Sequence, residues 1–208
     1  TYSDTSICST CQMVFHFIEA LEDLDKITEQ MATCLYTGIM TDTGSFKYAS
    51  TTATTHQVAA ALIHLGAKNA EIHQAIYDNN SPSRLHLLGC ALQNMEVIPE
   101  YKTAIIHLSQ KELDHYGYKK GDTEGLVNYG LSIAGVVFST IFIENTEEQI
   151  IKISFRSQGD FSVNEFARAH FNGGGHHNAA GGKSDLSLSD TLAHFKEILP
   201  TYKNKLNQ

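Results

Sequence analysis

The stretch Gly173-Gly174-Gly175-His176-His177-Asn178-Ala179-Ala180-Gly181-Gly182 decides the reading of this chain. Three consecutive glycines free the backbone to take positive φ and let amide N–H groups converge on an anion. A histidine directly after them can add a hydrogen bond or a positive charge. The small Ala179 and Ala180 allow close packing against a neighbouring strand or a flat ligand. Upstream, Ile151, Ile153 and Phe155 alternate onto one face, which predicts a strand over 150–155 ending in Phe155-Arg156-Ser157. Ser162 to Phe171 reads as a helix with Val163, Phe166 and Ala167 on its apolar side. Strand, amphipathic helix and glycine-rich string in that order predict an α/β unit.

Working outward, Ala104–Leu108 and Ala134–Ile143 read as further strands, with short helical pieces at Gln110–His115 and Thr123–Tyr129. A last helix, Ser189–Leu206, is expected to kink or break at Pro200. The first third reads as helices. Ser9 and Gln12 have capping-box spacing ahead of Cys11, Val14, Phe15, Ile18 and Leu21. A second stripe, Ile27, Met31, Cys34 and Leu35, is expected to end at Gly38. Thr54 and Gln57 predict a third start, closed by Gly66, and Asn69 a short fourth helix. Ser81-Pro82 has the pattern of an N-cap followed by a first-turn proline, opening a helix that carries Leu85, Leu88, Leu92 and Met95 up to Pro99. The change of pattern after that helix places a domain junction near residues 97–102.

Composition narrows the classes. At 208 residues, 42% hydrophobic and 18% charged, the chain is that of a folded protein. No run approaches the ~20 apolar residues of a membrane span, and no signal-like start is visible. Cys8, Cys11, Cys34 and Cys90 are few and scattered, which fits a reducing, cytoplasmic setting, and the Cys8/Cys11 pair is read as incidental thiols. A net charge of −8 disfavours long polyanions as ligands. Yet between Ile150 and Lys183, Lys152, Arg156, Arg168 and Lys183 face only Asp160 and Glu165, which suits a pocket for a small anion. The chain begins at Thr1 rather than Met, which fits a fragment or a processed product alike.

The ending FRSQGDFSVNEFARAHFNGGGHHNAAGG resembles the signature of the DHHA1 domain, the nucleotide- or phosphate-binding module of the DHH phosphoesterases. The resemblance implies that His176 contacts substrate and that Arg156 and Ser157 hold its phosphate or base, with Gly173, Gly174 and Gly175 forming the anion loop. Arginine suits that role because its planar fork grips two phosphate oxygens at once. His177 is read as a neighbour, Arg168 as a surface or structural residue, and the segment Asp122–Asn128 as lying beside the pocket, its acids equally explained as helix caps. The block Leu35-Tyr36-Thr37-Gly38-Ile39-Met40-Thr41-Asp42-Thr43-Gly44-Ser45-Phe46 is similar to the last metal-ligand motif of the DHH domain. There Asp42 would bind a divalent cation and act in catalysis, with Thr41 and Thr43 orienting its carboxylate. Hard oxygen ligands suit Mn²⁺ or Mg²⁺, and two ions are expected in the complete enzyme. The segment from Asn79 to Gly89 resembles the interdomain linker, which would turn Arg84 toward the cleft.

The departure is as informative. The Asp-His-His triplet that names the family does not occur, and the family's earlier metal-ligand motifs are not found ahead of Asp42. The expectation is therefore residues 1–80 as the mainly helical C-terminal part of a DHH domain, 81–102 as a linker helix, and 103–208 as an α/β DHHA1 domain with a small mixed sheet. The implied function is metal-dependent hydrolysis of short single-stranded oligoribonucleotides and of 3′-phosphoadenosine 5′-phosphate. The chain holds the substrate-binding half, is expected to be inactive alone, and belongs to a cytoplasmic protein, a homodimer among the forms it could take. Alternatives are a non-catalytic nucleotide-binding module, a cyclic-dinucleotide phosphodiesterase, or a single-strand exonuclease of the same superfamily.

Overall fold

The computed structural model describes residue 4 and residues 7–207. Thr1, which fits a fragment or a processed product, lies outside the described residues. The chain divides into two units after Asn79.

The first unit is helical: α1 (Thr10–Ala20), α2 (Glu29–Asp42), α3 (Ala53–His64) and α4 (Asn69–Tyr77). Ser9 caps α1 by accepting from the Cys11 amide, as its position predicts, but Gln12 does not close a capping box; its side chain meets Cys8 and His16 instead. α2 does not stop at Gly38. It runs a further turn to Asp42, because Gly38 is the site of closest approach to α1: a Cβ there would fall 2.2 Å from the Cys11 sulfur. The glycine read as a terminator is a helix–helix contact. α3 starts two residues earlier than expected, on a capping box of Thr52 and Thr55. Phe15, Leu35, Tyr36, Ile39, Met40, Val58 and Leu62 form the core of this unit, while Val14, Phe17 and Leu21 on α1 remain exposed.

The second unit opens with α5 (Pro82–Gln93), capped by the Ser81 hydroxyl with Pro82 at its first position, as expected. It continues through β1 (Glu96–Ile98), β2 (Thr103–Leu108), α6 (Gln110–His115), α7 (Asn128–Leu131), β3 (Phe138–Asn145), β4 (Ile150–Ser157), α8 (Val163–His170), β5 (Gly174–His176), β6 (Ala179–Ser184), α9 (Leu188–Ile198) and α10 (Lys203–Leu206). Among the described residues the strands make one mixed sheet, in the order β1-β2-β3-β4-β6-β5. Only β2 and β3 run parallel; the other pairs are antiparallel. Period-2 alternation sends the two sets of side chains to different cores. Phe138, Phe142 and Phe155 join Phe166, Phe171 and Phe195 on one face, with ring centroids between 5.2 and 6.4 Å in edge or tilted geometry. On the other face Ile106, Leu108 and Ile141 pack against Leu87, Cys90 and Ala91 of α5 and Leu113 of α6. The segment expected as a linker helix is thereby part of the second unit. The final helix breaks at Pro200, through a 3₁₀ turn at Leu199–Tyr202.

Three differences from the expected strands have physical causes. Ala134–Val137 is not strand: Gly135 takes φ +84 in a turn, and β3 extends instead to Asn145. β1 is too short to leave a pattern. The third is the hairpin of β5 and β6, which the sequence presents as a loop.

α6 carries a pH-dependent lock. Glu112 closes a capping box with Ser109 and also accepts from the Asn94 amide at 2.8 Å. Burial alone would raise its carboxyl, but the hydrogen bonds from the Ser109 hydroxyl, the Asn94 amide and the Ser109 N–H outweigh it and hold the pKa down at about 2. The unfolded value is about 4.3. The stabilisation is therefore complete above the unfolded value and disappears as pH falls toward the folded one. Glu112→Ala is expected to lower stability by about 1 kcal/mol at neutral pH. In urea titrations the gap to the wild type should close on acidification through that window; a gap constant with pH would refute the assignment.

Candidate functional site

Arg156, Ala179 and His176 lie in one cross-strand row. Arg156 on β4 is in register with Ala179 on β6, which is in register with His176 on β5. The next row on the same face is Ser154, Gly181 and Gly174. Directly opposed residues share a face, so Arg156 and His176 flank a floor of small residues, about two inter-strand spacings of 4.8 Å apart along the backbone. This is the face opposite the phenylalanine core, and its floor is half-exposed to exposed. Ala180, by contrast, is buried in that core.

The glycines have distinct jobs. A Cβ on Gly173 would fall 2.0 Å from the Gly181 carbonyl oxygen, so this residue permits β5 and β6 to approach. Gly175 has φ +153 and would place a Cβ 2.5 Å from the Ala179 oxygen. Gly174 has neither constraint; the nearest atoms a side chain there would meet are those of the Arg168 guanidinium, at 3.6 Å. The segment read as a loop whose glycines are free to take positive φ is an edge strand, in which Gly175 alone of the three takes positive φ.

The Arg156 guanidinium donates to the Phe155 carbonyl at 2.9 Å and is half-buried. Ser157 is 6% exposed; its hydroxyl donates to the Phe161 carbonyl at 2.6 Å and accepts from the Asn178 amide at 2.9 Å. Its hydrogen is spent inside the protein, tying the end of β4 to the hairpin turn. His176 is exposed on β5. His177 sits on the other side of the turn, where its carbonyl accepts from the Val163 amide at 2.8 Å. It borders a cleft of about 480 Å³ with Asp160, Glu165, Tyr202 and Lys205, whose two carboxylates suit a phosphate poorly. Arg168, read as a surface or structural residue, is exposed and lies against the glycine strand, and Asn164 joins it there: the Asn164 side-chain oxygen accepts from both the Arg168 Nε at 3.0 Å and the Gly175 amide at 3.1 Å. Their one sequence signal is the i, i+4 spacing on α8.

Arg84 donates from Nη2 to the Glu124 carbonyl at 3.3 Å, and Asp122 accepts from the Lys119 amide at 2.8 Å as a turn cap.

In the first unit, Asp42 is the last residue of α2 and is exposed, its Oδ2 accepting from the Ser9 hydroxyl at 2.6 Å. Thr41 and Thr43 do not orient it. Their hydroxyls donate back to helix carbonyls, Thr41 to Thr37 and Gly38, Thr43 to Ile39 and Met40. Ser9, the α1 cap, does the orienting, across 33 residues of sequence. Asp42 can offer a cation one carboxylate, and among the described residues no group of three His, Cys, Asp or Glu is placed to hold an ion. The described donors do not by themselves fit a two-ion centre. Among the same residues no helix is long and apolar enough to cross a membrane.

The model of the DHHA1 domain matches residues 101–206. The bifunctional oligoribonuclease and PAP phosphatase NrnA of Bacillus subtilis is 30% identical over 93% of this chain and 62% of its own length. The protein of the same name from Thermus thermophilus is 35% identical over 99% of this chain and 59% of its own. The crystal structure of an exopolyphosphatase-related protein from Bacteroides fragilis superposes with a TM-score of 0.96 at 40% identity, covering 100% of this chain and 61% of that one. The chain spans about three-fifths of the length of the relatives it matches.

Proposed function

Because the chain belongs to the DHHA1-domain family, we propose that it is the nucleotide-holding part of a phosphoesterase that hydrolyses short oligoribonucleotides and 3′-phosphoadenosine 5′-phosphate. The observation that carries this is the Arg156–Ala179–His176 row. It sets a guanidinium and an imidazole on either side of a flat, small-residue floor, at the strand ends where the sequence resembles the family signature. A guanidinium binds phosphate oxygens in pairs, an imidazole adds one donor, and the floor leaves room for a planar base. Ser157 serves this site by holding the hairpin turn. The relatives named for oligoribonuclease and PAP phosphatase activity support the substrate class.

In the complete enzyme of this reading, divalent ions such as Mn²⁺ or Mg²⁺ would supply the hydrolytic chemistry. Asp42, held in place by Ser9, would supply one ligand, and the others would come from outside the described residues. The 208-residue chain is accordingly expected to bind nucleotide and not to hydrolyse it. Release of mononucleotides from a diribonucleotide with Mn²⁺, measured on the purified chain against a mock preparation, tests this. Turnover by the chain would overturn the division of labour.

A further inference from the structure

Gly174 is a hairpin glycine that neither backbone nor packing explains, and what lies over it is the side chain of Arg168. A Cβ built at Gly174 would meet Arg168 Nη2 at 3.6 Å and both Cζ and Nε at 3.7 Å. Three atoms of one guanidinium at nearly equal distance from one point mean that the plane of the group lies flat over residue 174. The group is anchored at one corner, where Nε donates to Asn164 Oδ1 at 3.0 Å. Its two Nη groups donate to nothing among the described residues, and Arg168 is exposed. Asn164 alone satisfies the Gly175 amide, so removing the guanidinium would take no hydrogen-bond partner from the backbone. A residue that merely braced the strand would have no need to lay an open fork along it.

His176 follows two residues along the same strand, so its side chain leaves on the same side, roughly 7 Å from position 174. Two cationic or donor groups at that spacing, on one edge of a small-residue floor, match two phosphates on one nucleotide better than one. We propose that Arg168 holds a second phosphate, the first being held at the Arg156–His176 row, so that the site prefers nucleotides carrying two phosphates over those carrying one. This rests on the nucleotide-site reading above and adds a selectivity determinant to it.

The test is titration calorimetry on the 208-residue chain without metal, using adenosine 3′,5′-bisphosphate and AMP as the two probes. Arg168→Ala is expected to lose about tenfold or more in affinity for the bisphosphate, the scale of one charge-assisted contact, with little change for AMP. Arg168→Lys, which keeps the charge but not the fork, should recover part of that loss. Equal losses for both probes, no loss for either, or failure of Arg168→Ala to fold would overturn the proposal and make Arg168 structural. Wild-type chain that binds neither probe would bring down the nucleotide site itself, a result distinct from wild type binding both with Arg168→Ala unaltered.

Discussion

Gly173→Val is expected to reduce nucleotide affinity on the order of a hundredfold and to destabilise the second unit. The added Cβ would fall 2.0 Å from the Gly181 oxygen, 2.8 Å from the Gly182 Cα and 2.9 Å from the Gly181 carbonyl carbon. All three are backbone atoms of β6, which no rotamer change can move aside. β5 must then lift from its partner, carrying His176 out of the row it shares with Arg156. A displacement of about 1 Å at a positioning residue can cost a hundredfold in function, and overpacking of this kind costs about 1–3 kcal/mol of stability. Gly174→Ala is the control, since its Cβ makes only ordinary contact; it should stay within about 0.5 kcal/mol of wild type. Thermal melts together with nucleotide titrations would decide. A Gly173→Val chain that binds like wild type would show that the hairpin does not carry the site.

Arg156→Ala is expected to weaken nucleotide binding by roughly ten- to a hundred-fold, the loss of a charge-assisted hydrogen bond pair worth about 1.5–3 kcal/mol. The fold should survive, because the β4–β6 ladder is made by backbone groups and the neighbouring Phe155 and Ser157 supply the buried contacts. Affinity of the wild type should fall with added salt, and the slope should become shallower in the variant, since one phosphate contact fewer releases counterions. Loss of affinity with an unchanged salt slope would mean that Arg156 acts through its neighbours rather than on phosphate.

Most of the fold was legible where side chains alternate or caps are marked. The β4 alternation of Ile151, Ile153 and Phe155, the Ser81-Pro82 start of α5, the Gln110–His115 helix and the break at Pro200 all stand as read. What was not legible lacked side chains to carry a pattern. Gly174–His176 and Ala179–Ser184 are strands because β4 offers a free edge and because glycine lets the three backbones approach, neither of which is visible as periodicity. Gly38 looked like a stop signal for the same reason, its function being set by Cys11 on another helix. The site divided along similar lines. Motif resemblance pointed to Arg156 and His176 separately, but their common row depends on the register of three strands. Ser9 beside Asp42, and Asn164 against the Gly175 amide of the hairpin, are long-range or cross-element contacts that no spacing in the sequence announces.

The central claim is that the uncovered face of β4, β6 and β5 is where nucleotide binds. The most direct measurement is a backbone amide NMR titration of the 208-residue chain with adenosine 3′,5′-bisphosphate in the absence of metal. Saturable shifts are expected to concentrate at Arg156, Gly174, His176 and Ala179, with Asn164 and Arg168 among those that move. Shifts confined to the cleft beside His177 and Tyr202, or to the helical unit around Asp42, would contradict it.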